Sequence, residues 1–157
     1  KFELPKPILN KGGCNLSFAG LKTAVLKISK NIKNEQDKFD LAASFQNTIE
    51  KILYKKTKIA FDAYEKQSNP KKKVLVVAGG VAANKNIRSM LKSLCTDEDY
   101  QSIFPPIELC GDNAAMIALV GLEKFKLKKF DELDFPAKPR WALDESALFL
   151  KGAGVKL

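Results

Sequence analysis

Between Val74 and Leu94 the hydrophobic period changes once, and glycine marks the point of change. Val74 to Ala78 is a continuous apolar, mostly β-branched run, the pattern expected of a strand buried on both faces of a sheet. Gly79-Gly80 breaks it. Ile87, Met90, Leu91 and Leu94 then recur at helical spacing and predict an amphipathic helix. A strand, a glycine turn and a helix in succession restrict the chain to a layered α/β arrangement in which sheet and helices share one core.

The flanking segments carry the same alternation. Phe2 to Gly13, punctuated by Pro5, Pro7 and Gly12-Gly13, predicts a loop, and Cys14 to Phe18 alternates with period two, predicting a short strand that Gly20 turns. Leu21, Ala24, Val25, Ile28 and Ile32 predict a helix with Lys22, Lys27 and Lys30 facing outward. A longer helix is expected from Asp40, suited to its N-terminus, to Gln67, ended by Ser68, Asn69 and Pro70. Phe104 to Cys110 predicts another strand. Gly111-Asp112-Asn113 then opens an almost wholly apolar helix, Ala114 to Phe125, expected to be buried because it is apolar all round. From Asp131 onward the chain is expected to be mostly irregular.

At 157 residues one domain can bury roughly 70% of its unfolded surface. The 45% hydrophobic and 29% charged residues exclude a disordered chain. Of the 27 basic residues only Arg88 and Arg140 are arginines, so the net charge of +9 is first of all a solvated lysine surface. Cys14, Cys95 and Cys110 form neither a disulfide framework nor a zinc knuckle, which fits a reducing, cytoplasmic setting. The apolar stretch from Ala114 to Leu122 falls short of the ~20 residues of a membrane span, and with no charged-then-apolar leader in view the chain is expected to be neither exported nor membrane-inserted. Because the sequence begins at Lys1, it is expected to be a piece of something longer.

Two places could carry chemistry. At Gly79-Gly80 a backbone free to take positive φ, followed by a helix N-terminus with free N–H groups, suits a phosphate, yet the P-loop and dinucleotide spacings are absent and a plain tight turn explains the pair equally. Asp112 stands where a strand is expected to end and a helix to begin. It is either an N-cap worth ~1 kcal/mol or a carboxylate placed to hold a metal or orient a phosphate. With no histidine in the chain, Ser-His-Asp and Cys-His catalysis are excluded, and no residue is assigned a catalytic role.

Several ordered blocks go further. Asn15-Leu-Ser-Phe-Ala-Gly-Leu-Lys-Thr-Ala24 resembles Phe-Ser-Phe-Ser-Gly-Leu-Lys-Thr of the tRNA threonylcarbamoyladenosine synthases, the TsaD family once described as glycoproteases. Val77-Ala-Gly-Gly-Val-Ala-Ala-Asn84 with Arg88 resembles their Gly-Gly-Val-x-Ala-Asn-x-x-Leu-Arg block. Leu109-Cys-Gly-Asp-Asn-Ala-Ala-Met-Ile-Ala118 resembles their Cys-Thr-Asp-Asn-Ala-Ala-Met-Ile-Ala block, and Lys138-Pro-Arg-Trp-Ala-Leu143 their Pro-Arg-Trp segment. Order and spacing agree.

The resemblance implies an α/β lobe of the actin-like, sugar kinase and Hsp70 ATPase superfold, with residues 1–157 as the C-terminal lobe and the N-terminal lobe outside this chain. It implies transfer of a threonylcarbamoyl group from threonylcarbamoyl-AMP to N6 of the adenine next to the anticodon in tRNAs reading ANN codons. Gly79, Gly80 and Asn84 would bind that ATP-derived nucleotide. Asp112 would be one ligand of a divalent metal, iron (Fe2+) favoured and zinc possible, with a His-x-x-x-His pair supplied by the other lobe. Partners implied are tRNA, whose attraction gives the positive charge a purpose, and the inactive paralogue TsaB and ATPase TsaE of the pathway. The departures are Gly111 where the family has threonine and Ala19 where it has serine. A non-catalytic scaffold or dimerisation lobe of the same superfold is the rival reading, and a sugar kinase or chaperone ATPase rests on fold analogy alone. An isolated lobe is expected to expose apolar surface and self-associate.

Overall fold

The computed structural model describes residues 1–137. Two compact units divide the chain, Lys1–Asp112 and Asn113–Leu157.

In the first unit everything leans on one helix. After a looped N-terminal segment, α1 runs Ala19–Ser29 and α2 runs Glu35–Ser68, a helix of 34 residues. Helix α2 starts earlier than Asp40, because the Asn34 side chain accepts from the Asp37 N–H and caps it there, while Glu35 and Asp37 complement the positive end of the helix dipole. It stops at Asn69, whose φ of 42° is the left-handed conformation that asparagine tolerates. The inward faces of α2 support two apolar clusters. One joins Leu4, Leu21, Leu41 and Ile52; the other joins Phe61, Ile87, Leu91, Leu94, Cys95 and Tyr100, and Ile49 packs against both. Tyr100 stacks on Phe61 with ring centroids 3.7 Å apart, and burial, reinforced by nearby Glu65, pushes its phenol up to about 12.

The polar groups buried on α2 anchor the N-terminal segment. Ser44 accepts from the Phe2 N–H, and the buried Lys56 ammonium donates to the Lys11 and Gly13 carbonyls at 2.7 and 2.9 Å. These bonds replace the water that a buried ammonium loses.

Strand β1 (Val74–Val76), helix α3 (Lys85–Asp97) and strand β2 (Gln101–Ile103) form a strand–helix–strand unit, the two strands parallel with Val74, Leu75 and Val76 opposite Gln101, Ser102 and Ile103. The α/β class is therefore present in its smallest form. Three expectations are corrected here. Strand β1 is not buried on both faces: Leu75 is half-buried and Val76 is 64% exposed, because helices cover only one side of the two-stranded sheet among the described residues. The second strand lies before Pro105-Pro106 rather than after it, since prolines have no N–H for a ladder and a 3-10 turn, Ile107–Leu109, follows them. Cys14 to Phe18 is no strand at all, for the period-two pattern has no ladder partner there; α1 begins directly after Phe18 and takes in Gly20.

In the second unit α4 runs Ala114–Lys126, and every one of its residues is exposed, against the expectation of burial. All-round apolarity states that a helix needs cover, not that cover is present. Phe125 in its last turn meets Phe130, beyond its end, edge to face. The Lys138 to Leu143 block lies outside the described residues.

Candidate functional site

Glycine 79 holds a φ of +86°, so the positive dihedral expected of the glycine turn is real, and nothing lies within 4 Å of where a Cβ would project at Gly79 or Gly80. Between the glycines and the helix the chain makes a 3-10 turn, Gly80–Ala83, closed by the Ala82 N–H on the Gly79 carbonyl at 2.9 Å. Only Asn84 starts α3. Its side-chain oxygen accepts from the N–H groups of Asn86 and Ile87, both at 3.1 Å, so two of the amides expected to be free for an anion are already satisfied.

With its oxygen committed to the cap, Asn84 presents its amide NH2 sideways. That group donates to Gln46 Oε1 at 3.4 Å, and Gln46 in turn donates through Nε2 to Glu50 at 3.1 Å. Gln46 belongs to none of the sequence motifs. One signal does mark it: a polar residue among Ala42, Phe45, Ile49 and Leu53, on the face of α2 that looks toward β1 and the turn. Gly80, Asn84 and Gln46 line a cavity of about 810 Å3 whose other walls are mostly apolar, among them Phe45, Val77 and Leu91. Its size lies within the range of small-molecule sites, and its lining of apolar walls with a few convergent amides is the usual form of such sites.

Asp112 is placed elsewhere. It is exposed, does not line that cavity, and is not the cap of the following helix; Asn113 caps α4 by accepting from the Met116 N–H at 3.1 Å. The cap reading of Asp112 is thereby corrected, because the helix starts one residue later than the motif suggests and the Asn side chain satisfies its orphan amide. Among the described residues no three His, Cys, Asp or Glu side chains gather to hold a metal, so Asp112 belongs to no ready-made ligand cluster there.

Arg88 connects the turn to the segment that leads to Asp112. Its guanidinium donates to the Ala82 carbonyl at 2.9 Å and to the Pro105 carbonyl at 3.0 Å, approaches Cys110 Sγ at 3.3 Å, and lies over the Phe104 ring at 4.9 Å. A planar fork is needed to reach both carbonyls at once. Arg88→Lys should therefore leave one of them unsatisfied and raise amide exchange across residues 101–110, at a cost of about 1–3 kcal/mol in local stability. Unchanged exchange in that segment would show that the fork is dispensable. The open space around Gly111 leaves room for the threonine hydroxyl that the resembling block carries there.

Comparison with known proteins matches the segment in which these residues lie. The family model described as TsaD: tRNA N6-adenosine threonylcarbamoyltransferase matches residues 1–119, which include the glycine turn, Asn84, Arg88 and Asp112. A tRNA N6-adenosine threonylcarbamoyltransferase of Pelagibacter ubique (strain HTCC1062) is 73% identical over 157 residues, all of this chain and 44% of its own length. Those of Rickettsia rickettsii (strain Sheila Smith) and Rickettsia canadensis (strain McKiel) are 50% and 51% identical over 148 residues, 92% of this chain and 43% of their own lengths. The chain thus spans less than half the length of these curated relatives.

Proposed function

The chain belongs to the tRNA N6-adenosine threonylcarbamoyltransferase family, and from that premise we propose that it is the C-terminal part of an enzyme that moves a threonylcarbamoyl group from threonylcarbamoyl-AMP to N6 of the adenine beside the anticodon of tRNAs reading ANN codons. The observation that carries this reading is the family match over residues 1–119, a span that contains the glycine turn, Asn84 and Asp112. The lobe so defined is of the actin-like type, its N-terminal partner lobe lying in the remainder of the relatives' length.

In this reading the cavity beside Gly80 and Asn84 takes the adenylate. The exposed glycine backbone lets a ligand approach closely, and the Asn84 NH2, held by Gln46, donates to it while the apolar walls exclude water. Asp112 contributes a single ligand to a divalent ion, iron in preference to zinc, and the other ligands come from outside this chain; such an ion supplies Lewis-acid polarisation when bound. The protein works in the cytoplasm with tRNA and with the pathway's TsaB and TsaE proteins, and no helix among the described residues is long and apolar enough to cross a membrane. The exposed apolar α4 supports self-association when the chain is isolated from the rest of the protein.

The test is direct. Full-length protein, threonylcarbamoyl-AMP and a tRNA transcript are combined and the modified nucleoside is quantified by mass spectrometry. Product should form with the wild type, and Asn84→Asp, which keeps the cap oxygen but removes the donor, should raise KM for the adenylate roughly 10-fold with folding intact. Wild-type protein that forms no product, with its pathway partners present, supports the non-catalytic scaffold reading instead.

A further inference from the structure

From Leu4 to Asn34 the sequence contains no aspartate or glutamate, yet it holds six lysines: Lys6, Lys11, Lys22, Lys27, Lys30 and Lys33. The segment is bounded by Glu3 and Glu35. A second acid-free stretch of equal length, residues 66–96, holds six lysines and Arg88, so it is the arrangement of the charge and not the exclusion of acids that sets the first segment apart. In the second stretch Lys73 is paired with Glu65, and the ion pairs among the described residues use Lys1, Lys58, Lys73, Lys124 and Lys126 but none between 4 and 34.

The helix gathers this charge on one side. At about 100° per residue, Lys22, Lys27 and Lys30 fall within an arc of about 140°, directly opposite Leu21, Ala24, Val25 and Ile28. Leu21 is fully buried against α2, which turns the lysine face outward, and Lys22, Lys27, Lys30 and Lys33 are all exposed. Lys27 and Lys30 also complement the negative end of the α1 dipole, but Lys22 in its first turn works against the dipole at that end. Helix-dipole compensation therefore leaves part of the pattern unexplained.

The position of the helix supplies the second observation. Leu16 and Phe18, just before α1, line the same cavity as Gly80 and Asn84, so the lysine-bearing helix begins at the rim of the candidate substrate site. Helix α1, with 11 residues, is about 16 Å long, enough to lie along several successive phosphates of a nucleic-acid strand.

We propose that the Lys22–Lys27–Lys30 face of α1, continued by Lys33, is a contact surface for the phosphate backbone of the RNA whose base enters the cavity. The proposal rests on the tRNA-modifying reading above and adds where on this chain the strand is held. Lysines serve here as point charges that position the strand without reading its sequence, so the absence of arginine is no obstacle. Three neighbouring ammonium groups with no carboxylate among them repel one another in the free protein, and a line of phosphates relieves that repulsion while releasing its own counterions.

The experiment uses the full-length protein and measures tRNA binding by fluorescence anisotropy from low to moderate salt. The triple variant Lys22→Ala, Lys27→Ala, Lys30→Ala should flatten the slope of log K against log salt by about two to three, roughly 0.7–0.9 for each phosphate no longer neutralised. Arginine at the same three positions should retain the wild-type slope, and Lys71→Ala with Lys72→Ala should leave it unchanged; circular dichroism shows whether each variant is folded. A slope in the triple-alanine variant equal to that of the wild type overturns the surface while leaving the proposed function standing. Wild-type protein that binds no tRNA overturns both. Capture of anionic vesicles that depends on these lysines, together with an unchanged tRNA slope, assigns the face to a lipid surface and likewise overturns the proposal.

Discussion

Asp112→Ala in the full-length protein is expected to lower tRNA modification by more than about 100-fold, beyond the roughly 10–100-fold that loss of a mere outer-shell partner of a metal costs. Metal content should fall with it, while the unfolding midpoint stays near that of the wild type. The separation of the two effects comes from the helix start. Were Asp112 the N-cap, its removal would cost ~1 kcal/mol of stability, but that capping bond is made by Asn113, which accepts from the Met116 N–H. Asn113→Ala is accordingly the stability control. Wild-type metal content and activity in Asp112→Ala would remove this carboxylate from the site and leave its exposure without a role.

The second large effect is mechanical. Leu94 is completely buried in α3, in the cluster shared with Phe61, Leu91, Cys95 and Tyr100. Leu94→Ala leaves a cavity between α2 and α3 that rigid helices cannot close, and should cost about 3 kcal/mol, within the 2–5 kcal/mol typical of such truncations. In the full-length protein this is read as a fall of roughly two orders of magnitude in amide-exchange protection along α3, since each 1.4 kcal/mol is about a factor of ten. Because α3 carries Asn84 at its N-terminus and Arg88 one turn further on, adenylate affinity should fall in parallel. Protection within a factor of a few of the wild type would mean that α3 is held by something other than this cluster.

What could be foreseen differs by element for a common reason. Helix α3 was legible because Ile87, Leu91 and Leu94 repeat with the helical period, and the buried residues are those the period selects. The end of α2 at Asn69 and the positive φ of Gly79 were legible because each depends on the conformational freedom of one residue. The strand expected at Cys14 to Phe18 failed for the opposite reason: alternation describes a residue pattern, but a strand exists only where another chain segment offers its hydrogen bonds. The start of α2 moved from Asp40 to Asn34 because two acceptable caps stood within two turns, and the choice fell to the one whose oxygen reaches an orphan amide.

The candidate site divides along the same line. By itself the sequence determined the family, the α/β order, the glycine turn, and the identity of Asn84 and Asp112 as residues to watch, all of them properties of local spacing or of ordered motifs. Only the tertiary structure decided that Asn84 spends its oxygen on a helix cap and turns its amide to Gln46, 38 positions away in sequence. It also decided that Arg88 ties the 3-10 turn to the Pro105 carbonyl, and that Asp112 stands outside the cavity with its expected capping role taken by Asn113. Side-chain direction follows from backbone period and so is written locally, whereas hydrogen-bond partners are distributed among all groups the fold brings within reach, and which of them wins is settled only when the core has closed.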